Sequence, residues 1–207
     1  MFDLFLHLDS HLQTFVLAHG WLGYPLLFLI VFCETGLVVT PFLPGDSLLF
    51  AAGALAGFGA MNITLLLPLL CLAAIFGDSI NYSIGRRFGR RFLGQLWVQR
   101  LIAEQHVTRA ERFFAKHGAK TIVMARFIPI IRTIVPFLAG VANMPRHTFF
   151  TYNIAGGVAW VSVFVLIGYV FGRTDFVHAH FSSIVLGIIA ISFIPFALEF
   201  VRGDSRA

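Results

Sequence analysis

Four charged residues sit in stretches that are otherwise apolar, and they come in two opposite pairs. Glu34 and Asp46 bracket CETGLVVTPFLPGD (33–46), with Pro41 and the turn Pro44-Gly45 between them. Arg126 and Arg132 lie in ARFIPIIRTIVPFLAG (125–140), with Pro129 between them and Pro136 and Gly140 following. An intramembrane charge costs at least ~2.5–3.5 kcal/mol on insertion scales, so charges retained there point to function first. Guanidinium offers forked donors and stays charged, which suits a phosphate. A carboxylate in an apolar setting can take up and release a proton near neutral pH. Together the four suggest a phosphate-bearing amphiphile moved with protonation of Glu34 or Asp46. The plainer alternative is that they form ion pairs holding two hairpins together, and pairing is compatible with function.

A continuous helix would put Arg126 and Arg132 about 240° apart on its surface, on different faces. Glu34 and Asp46 would stand ~18 Å apart along a straight helix. The prolines are therefore expected to break both segments so that each pair converges. Broken helices also free backbone N–H groups that suit an anion, and these are tolerated at depth only where they line a buried or wet cavity.

Other candidates carry less. Asp78, in GDSINYSIGRR, is evenly balanced between lining the same cavity and sitting with Ser79 and Asn81 at the end of a span. His178 and His180 are read as a solvated outer loop rather than a metal site, and neither a metal nor a cofactor is expected. Cys33 and Cys71, in apolar segments, are read as packing residues without a disulfide framework. Asn143, Arg146 and Asn153 are read as boundary and packing residues. Trp21 and Trp97 suit membrane interfaces, and Trp160 cannot be ranked. No nucleophile stands beside a base in a way that suggests an enzyme such as a lipid-phosphate phosphatase, and none is expected.

The elements that must position these residues follow from composition and charge. Of 207 residues, 58% are hydrophobic and 12% charged, with a mean hydropathy of +0.85; a soluble domain has ~45–50% apolar and ~25% charged residues. An all-α polytopic membrane protein is expected. Ile63 to Gly85 and Phe149 to Gly172 would each reach ~34 Å as helices, enough for a ~30 Å hydrocarbon core. Phe181 to Leu198 supplies a final span within 181–200. Residues 1–20 mix polar and apolar positions and read as an amphipathic interfacial helix, without the basic start of a cleaved signal peptide.

Residues 1–85 hold five acids and no Lys or Arg, whereas nine of the fifteen basic residues fall in Arg86 to Lys120. By the positive-inside rule the 86–120 connector is cytoplasmic. Thr108 and Glu111 form a capping box within it, Phe113 and Phe114 mark an apolar face, and Gly118 is placed to stop the helix.

Sliding the sequence along itself aligns two pairs of segments at one shared offset. LAGFGAM (55–61) matches LAGVANM (138–144) and IGRRFGR (84–90) matches IGYVFGR (167–173), nine identities in fourteen positions. The spacing predicts an internal duplication, repeat 1 over 21–85 and repeat 2 over 121–173. Each would hold a re-entrant helical hairpin and one transmembrane helix, in opposite orientations. The final span would return the C-terminus to the cytoplasm. Inverted repeats with interrupted helices suggest a transporter with its site at the repeat interface.

ETGLVVTPFLPGDSLLFAAGALA, GDSINYSIGRRFG and ARFIPIIRTIVPFLAGVANM together resemble the DedA family of bacterial inner-membrane proteins, whose shared domain also occurs in eukaryotic lipid scramblases. The resemblance covers roughly residues 20–200. It implies two opposed re-entrant hairpins, and essential acidic and arginine residues that fall here on Glu34, Asp46, Arg126 and Arg132. It further implies the return of undecaprenyl phosphate across the inner membrane for envelope synthesis. Movement of phospholipids such as phosphatidylethanolamine, dependence on proton-motive force and resistance to cationic peptides are implied as well. The expected function is a lipid flippase, with a phospholipid flippase or scramblase and a proton-coupled exporter of small cations or drugs as alternatives. The expected partners are a membrane lipid and protons, not nucleic acid; a homodimer is one option for assembly.

Overall fold

The computed structural model describes residues 8–36, 45–93, 114, 116–128 and 131–174. Six helices account for most of them: α1 (Leu8–Gly36), α2 (Gly45–Gly57), α3 (Ile63–Leu93), α4 (Thr121–Ala125), α5 (Ile131–Val141) and α6 (Arg146–Gly172). The chain is all-helical, and no strand occurs among the described residues. α3 over Ile63–Phe88 and α6 over its whole length are long and apolar enough to cross a membrane. The proposed final span, His178, His180, Trp97, Thr108 and Glu111 lie outside the described residues.

Three boundaries differ from expectation. α1 runs from Leu8 to Gly36 without a break near residue 20, so the amphipathic start and the first arm of the expected hairpin are one helix. Pro25 lies inside it, removing one backbone donor without ending it. α3 continues past Gly85 to Leu93, because an arginine-rich stretch without proline favours helix. Pro136 and Gly140, expected as helix breakers, both lie within α5. Pro136 removes a single N–H, and a helix packed among neighbours tolerates that loss. Gly45 opens α2, while Pro41, Pro44 and Pro129 fall outside the described residues.

Several ends are closed by identifiable bonds. Asn62 caps α3, its Oδ1 accepting from the Thr64 N–H at 2.9 Å and the Thr64 hydroxyl at 2.6 Å. The Asn62 N–H in turn donates to the Tyr24 hydroxyl at 2.7 Å. Gly118 takes φ +57, which suits its expected place as a helix stop. Asn143 takes φ +53 in the turn between α5 and α6, a conformation asparagine tolerates better than most residues.

The chain divides into two compact units. Unit 1 comprises Met1–Phe28, Phe42–Leu70 and Ser162–Ala207; unit 2 comprises Leu29–Pro41 and Cys71–Val161. In unit 1, α2 meets α6 so closely that a Cβ on Gly53, Gly57, Gly168 or Gly172 would collide with the facing backbone. In unit 2, α5 meets α3 in the same way, through Gly85 against Phe137 and Gly140 against Tyr82 and Arg86. Small residues let helix backbones approach where lipid gives no hydrophobic drive to associate. Unit 2 also has a core built from Tyr82, Ile122, Ile134, Phe137 and Phe149, with the Tyr82 and Phe149 rings stacked at 4.2 Å. The Tyr82 hydroxyl donates to the Met144 carbonyl, and Arg86 donates to that hydroxyl at 2.6 Å. Leu72, Phe76 and Ile80 on α3, and Ile154 and Val158 on α6, are exposed.

Candidate intramembrane charge site

Unit 2 gathers two ion pairs. Glu34 comes from the last turn of α1 and Arg132 from the first turn of α5. The Arg132 Nη2 donates to Glu34 Oε1. Arg126 follows α4 in a tight turn, where its N–H donates to the Val123 carbonyl at 3.3 Å and the Ile128 N–H to the Ala125 carbonyl at 2.9 Å. Its Nη2 donates to Asp78 Oδ2 on α3 and to Asn153 Oδ1 on α6. The side chains of Asp78 and Arg126 are each 4% exposed, Glu34 1%, and Arg132 10%. A buried pair gains from its geometry only when the remaining polar atoms are also satisfied.

The surroundings hold both pairs in place. Asn153 is fixed by its own amide, which donates to the Ile75 carbonyl at 3.0 Å and to the Ser79 hydroxyl at 3.3 Å. Gly156 and Gly157 leave room for the guanidinium: a Cβ on Gly156 would lie 3.1 Å from Arg126 Cδ and 3.2 Å from its Nε. The Trp160 ring faces both cations, with Arg132 Cζ at 4.9 Å from its centroid and Arg126 Cζ at 5.9 Å. Asn81, fully buried, donates through Nδ2 to the Thr35 carbonyl at 3.3 Å and the Thr133 carbonyl at 2.7 Å. Those carbonyls belong to the residues next to Glu34 and Arg132, so one amide ties the backbones that carry the ion pair. Gly77 allows this approach, since a Cβ there would strike the Thr35 hydroxyl and the Phe32 carbonyl.

The sequence candidates are therefore distributed unevenly. Glu34, Arg126 and Arg132 belong to unit 2, together with Asp78, for which the sequence leaves two readings open and which is the carboxylate paired with Arg126. Asp46 belongs to unit 1, half-buried in the first turn of α2. Asn153, read from the sequence as a packing residue, is a direct partner of Arg126. Gly156, Gly157 and Trp160 carry no role that the sequence alone assigns. Positions 153, 156, 157 and 160 recur at helical spacing on one face of α6, and that periodicity is the signal that could have found them. Among the described residues, no group of three or more His, Cys, Asp or Glu could hold a metal ion.

Comparison of the sequence with known proteins matches the chain to a family. Residues 43–170 match the VTT domain. The chain is 44% identical over 209 residues to Protein DedA of Escherichia coli (strain K12), covering 100% of this chain and 95% of that protein. It is 42% identical over 190 residues to an uncharacterized membrane protein of Mycobacterium tuberculosis (strain ATCC 25618 / H37Rv), covering 89% and 83%. Inner membrane protein YqjA of Escherichia coli (strain K12) is 38% identical over 151 residues, covering 73% and 68%. No solved structure matches. The domain match and the identity across the chain, with two membrane-length helices among the described residues, make this protein a membrane protein of the DedA family.

Proposed function

We propose that the protein is a lipid flippase that carries a phosphate-bearing lipid, undecaprenyl phosphate above all, across the bacterial inner membrane. The observation that supports this most is the Arg132–Glu34 pair, buried in unit 2 beside the second buried pair, Arg126–Asp78. Arg126 is held on two sides by Asp78 and Asn153 and has little freedom. Arg132 is the more exposed arginine and follows the break between α4 and α5, so it is the one suited to exchange a carboxylate for a phosphate. Protonation of Glu34 would remove its counter-charge and release Arg132, linking lipid movement to protons. Asp46 would serve a second protonation step or the entry of the headgroup.

The inverted-repeat architecture belongs to the same proposal. Gly85 and Gly168 are separated by the same offset as Gly57 and Gly140, and all four are contact glycines. This correspondence supports a duplicated helix-and-span unit with re-entrant hairpins. The basic 86–120 connector and the C-terminus would face the cytoplasm, and the protein would act as a transporter rather than an enzyme.

The test measures surface-exposed undecaprenyl phosphate in cells lacking this protein and redundant family members. It should rise on depletion, and Arg132→Ala should fail to restore it. A normal leaflet distribution in depleted cells rejects the substrate. Arg132→Lys should restore the native distribution only in part, because an ammonium offers a phosphate a point charge in place of a forked donor, whereas a cation exporter would tolerate lysine in the export of its own substrate.

A further inference from the structure

The ion pairs leave one part of the site without a role, the indole that both arginines face. Trp160 is 1% exposed, so water does not compete for its ring face. Two guanidiniums stand close to its centroid, Arg132 at 4.9 Å and Arg126 at 5.9 Å. An indole face is the most attractive of the aromatic faces for a cation, and more so when desolvated. Asp78 and Asn153 do not satisfy the whole Arg126 guanidinium, since among the described residues its buried Nε has no hydrogen-bond partner. Asn153, Gly156, Gly157 and Trp160 thus form one face of α6 that supplies an acceptor, space and a π surface to the arginines.

We propose that Trp160 is a positioning residue that keeps Arg132 beside Arg126 and poised for a lipid phosphate, its ring face helping to hold the guanidinium whenever Arg132 leaves Glu34. The proposal rests on the flippase reading given above. Its physical reason is the intermediate state. Once Glu34 is neutralised, Arg132 loses the carboxylate that its Nη2 donates to, and Arg126 and Arg132 are left with one carboxylate, that of Asp78, for two positive charges; a long cationic side chain in that position tends to extend toward water. A π surface at 4.9 Å lowers the cost of staying. Its charge distribution is fixed, so it holds the cation without competing for it once a phosphate enters.

The experiment uses the full chain in phosphatidylcholine vesicles containing a polyprenyl phosphate as probe. Trp21 and Trp97 are replaced by phenylalanine so that Trp160 is the single indole of the three. Fluorinated tryptophans with one to four ring fluorines then weaken the negative ring face stepwise while nearly preserving its shape. Translocation per folded molecule should fall with each fluorine, by about tenfold at the tetrafluoro ring. Trp160→Phe should lie within the series and Trp160→Leu below it, while thermal stability stays level across the fluorinated set. As a reading independent of transport, Arg132→Gln should change the emission of the lone Trp160.

Equal rates across the fluorine series, or emission unaltered by Arg132→Gln, would overturn the role of Trp160. Translocation by the chain with its native Trp160 in the same vesicles separates the two ideas. No translocation of the polyprenyl phosphate by the Trp160-only chain rejects the flippase reading itself, whereas native translocation alongside a flat fluorine series rejects only the part assigned to Trp160.

Discussion

In unit 1, α2 packs on α6 through Gly53, Gly57, Gly168 and Gly172; in unit 2, α5 packs on α3 through Gly85 and Gly140. The two contacts share their spacing in the chain, yet their chemistry differs. At the offset of the sequence identities between 55–61 and 138–144, Leu49 corresponds to Arg132 and Asn81 to Phe164. Leu49 is fully buried, an ordinary core residue of unit 1. The corresponding place in unit 2 carries a cation paired with Glu34. Gly57 and Gly140, and Gly85 and Gly168, correspond at that offset and each lets two backbones approach, whereas the side chains around them differ. One half of the pattern holds Arg126, Arg132, Glu34 and Asp78, while α2 holds Asp46 alone among charged residues.

The largest expected effect breaks that asymmetry directly. Asp78→Asn leaves Arg126 buried beside a neutral partner, and should lower stability by about 3–5 kcal/mol. Adding Arg126→Gln should recover part of the loss, because the double variant buries no unpaired charge. Thermal unfolding in detergent measures both, and a double variant less stable than either single one would show that the pair is not the unit of stability.

The glycine contacts test whether the units are alike as scaffolds. Gly85→Ala and Gly168→Ala each place a methyl against a facing carbonyl, of Phe137 and Phe50 respectively, and should each destabilise by about 1–3 kcal/mol. If charge is what separates the units, transport per folded molecule should suffer more from Gly85→Ala. Equal loss of transport would remove that distinction.

Gly156→Ala is a gentler change within unit 2. The new methyl meets Arg126 Cδ and Val123 Cα, each at 3.1 Å, so a shift of a few tenths of an ångström accommodates it. A destabilisation of about 1 kcal/mol is expected, with a several-fold drop in transport because the guanidinium moves away from Asp78 and Asn153. The smallest effect belongs to unit 1. Asn62→Ala removes the α3 cap and should cost about 1 kcal/mol of stability, with transport per folded molecule unchanged; a transport defect would mean that unit 1 packing is linked to the charge site.

The long apolar runs made α3 and α6 legible, because a ~30 Å hydrocarbon core demands a length that few other structures require. Their ends were less so: arginine tolerates helix as well as loop, so α3 runs past Gly85 into the basic stretch. Pro136 departs from expectation for a related reason. Proline removes one donor wherever it stands, but whether a helix breaks there depends on what packs around it. Glu34, Arg126 and Arg132 stand out as charges among apolar neighbours. Asn153 and Trp160 do not, since their types are ordinary within a span and their meaning lies in what faces them.

By itself the sequence determined that this chain enters a membrane, that it carries opposite charges in proline-interrupted segments, and that part of it recurs at one fixed offset. These properties are local or periodic, and composition and spacing record them. Only the tertiary structure decided that Arg126 pairs with Asp78, that Asn81 ties the Thr35 and Thr133 carbonyls, and that one indole faces both arginines. Residues far apart in the chain make those contacts, and no pattern along it specifies which of several equally charged or polar partners folding will bring together.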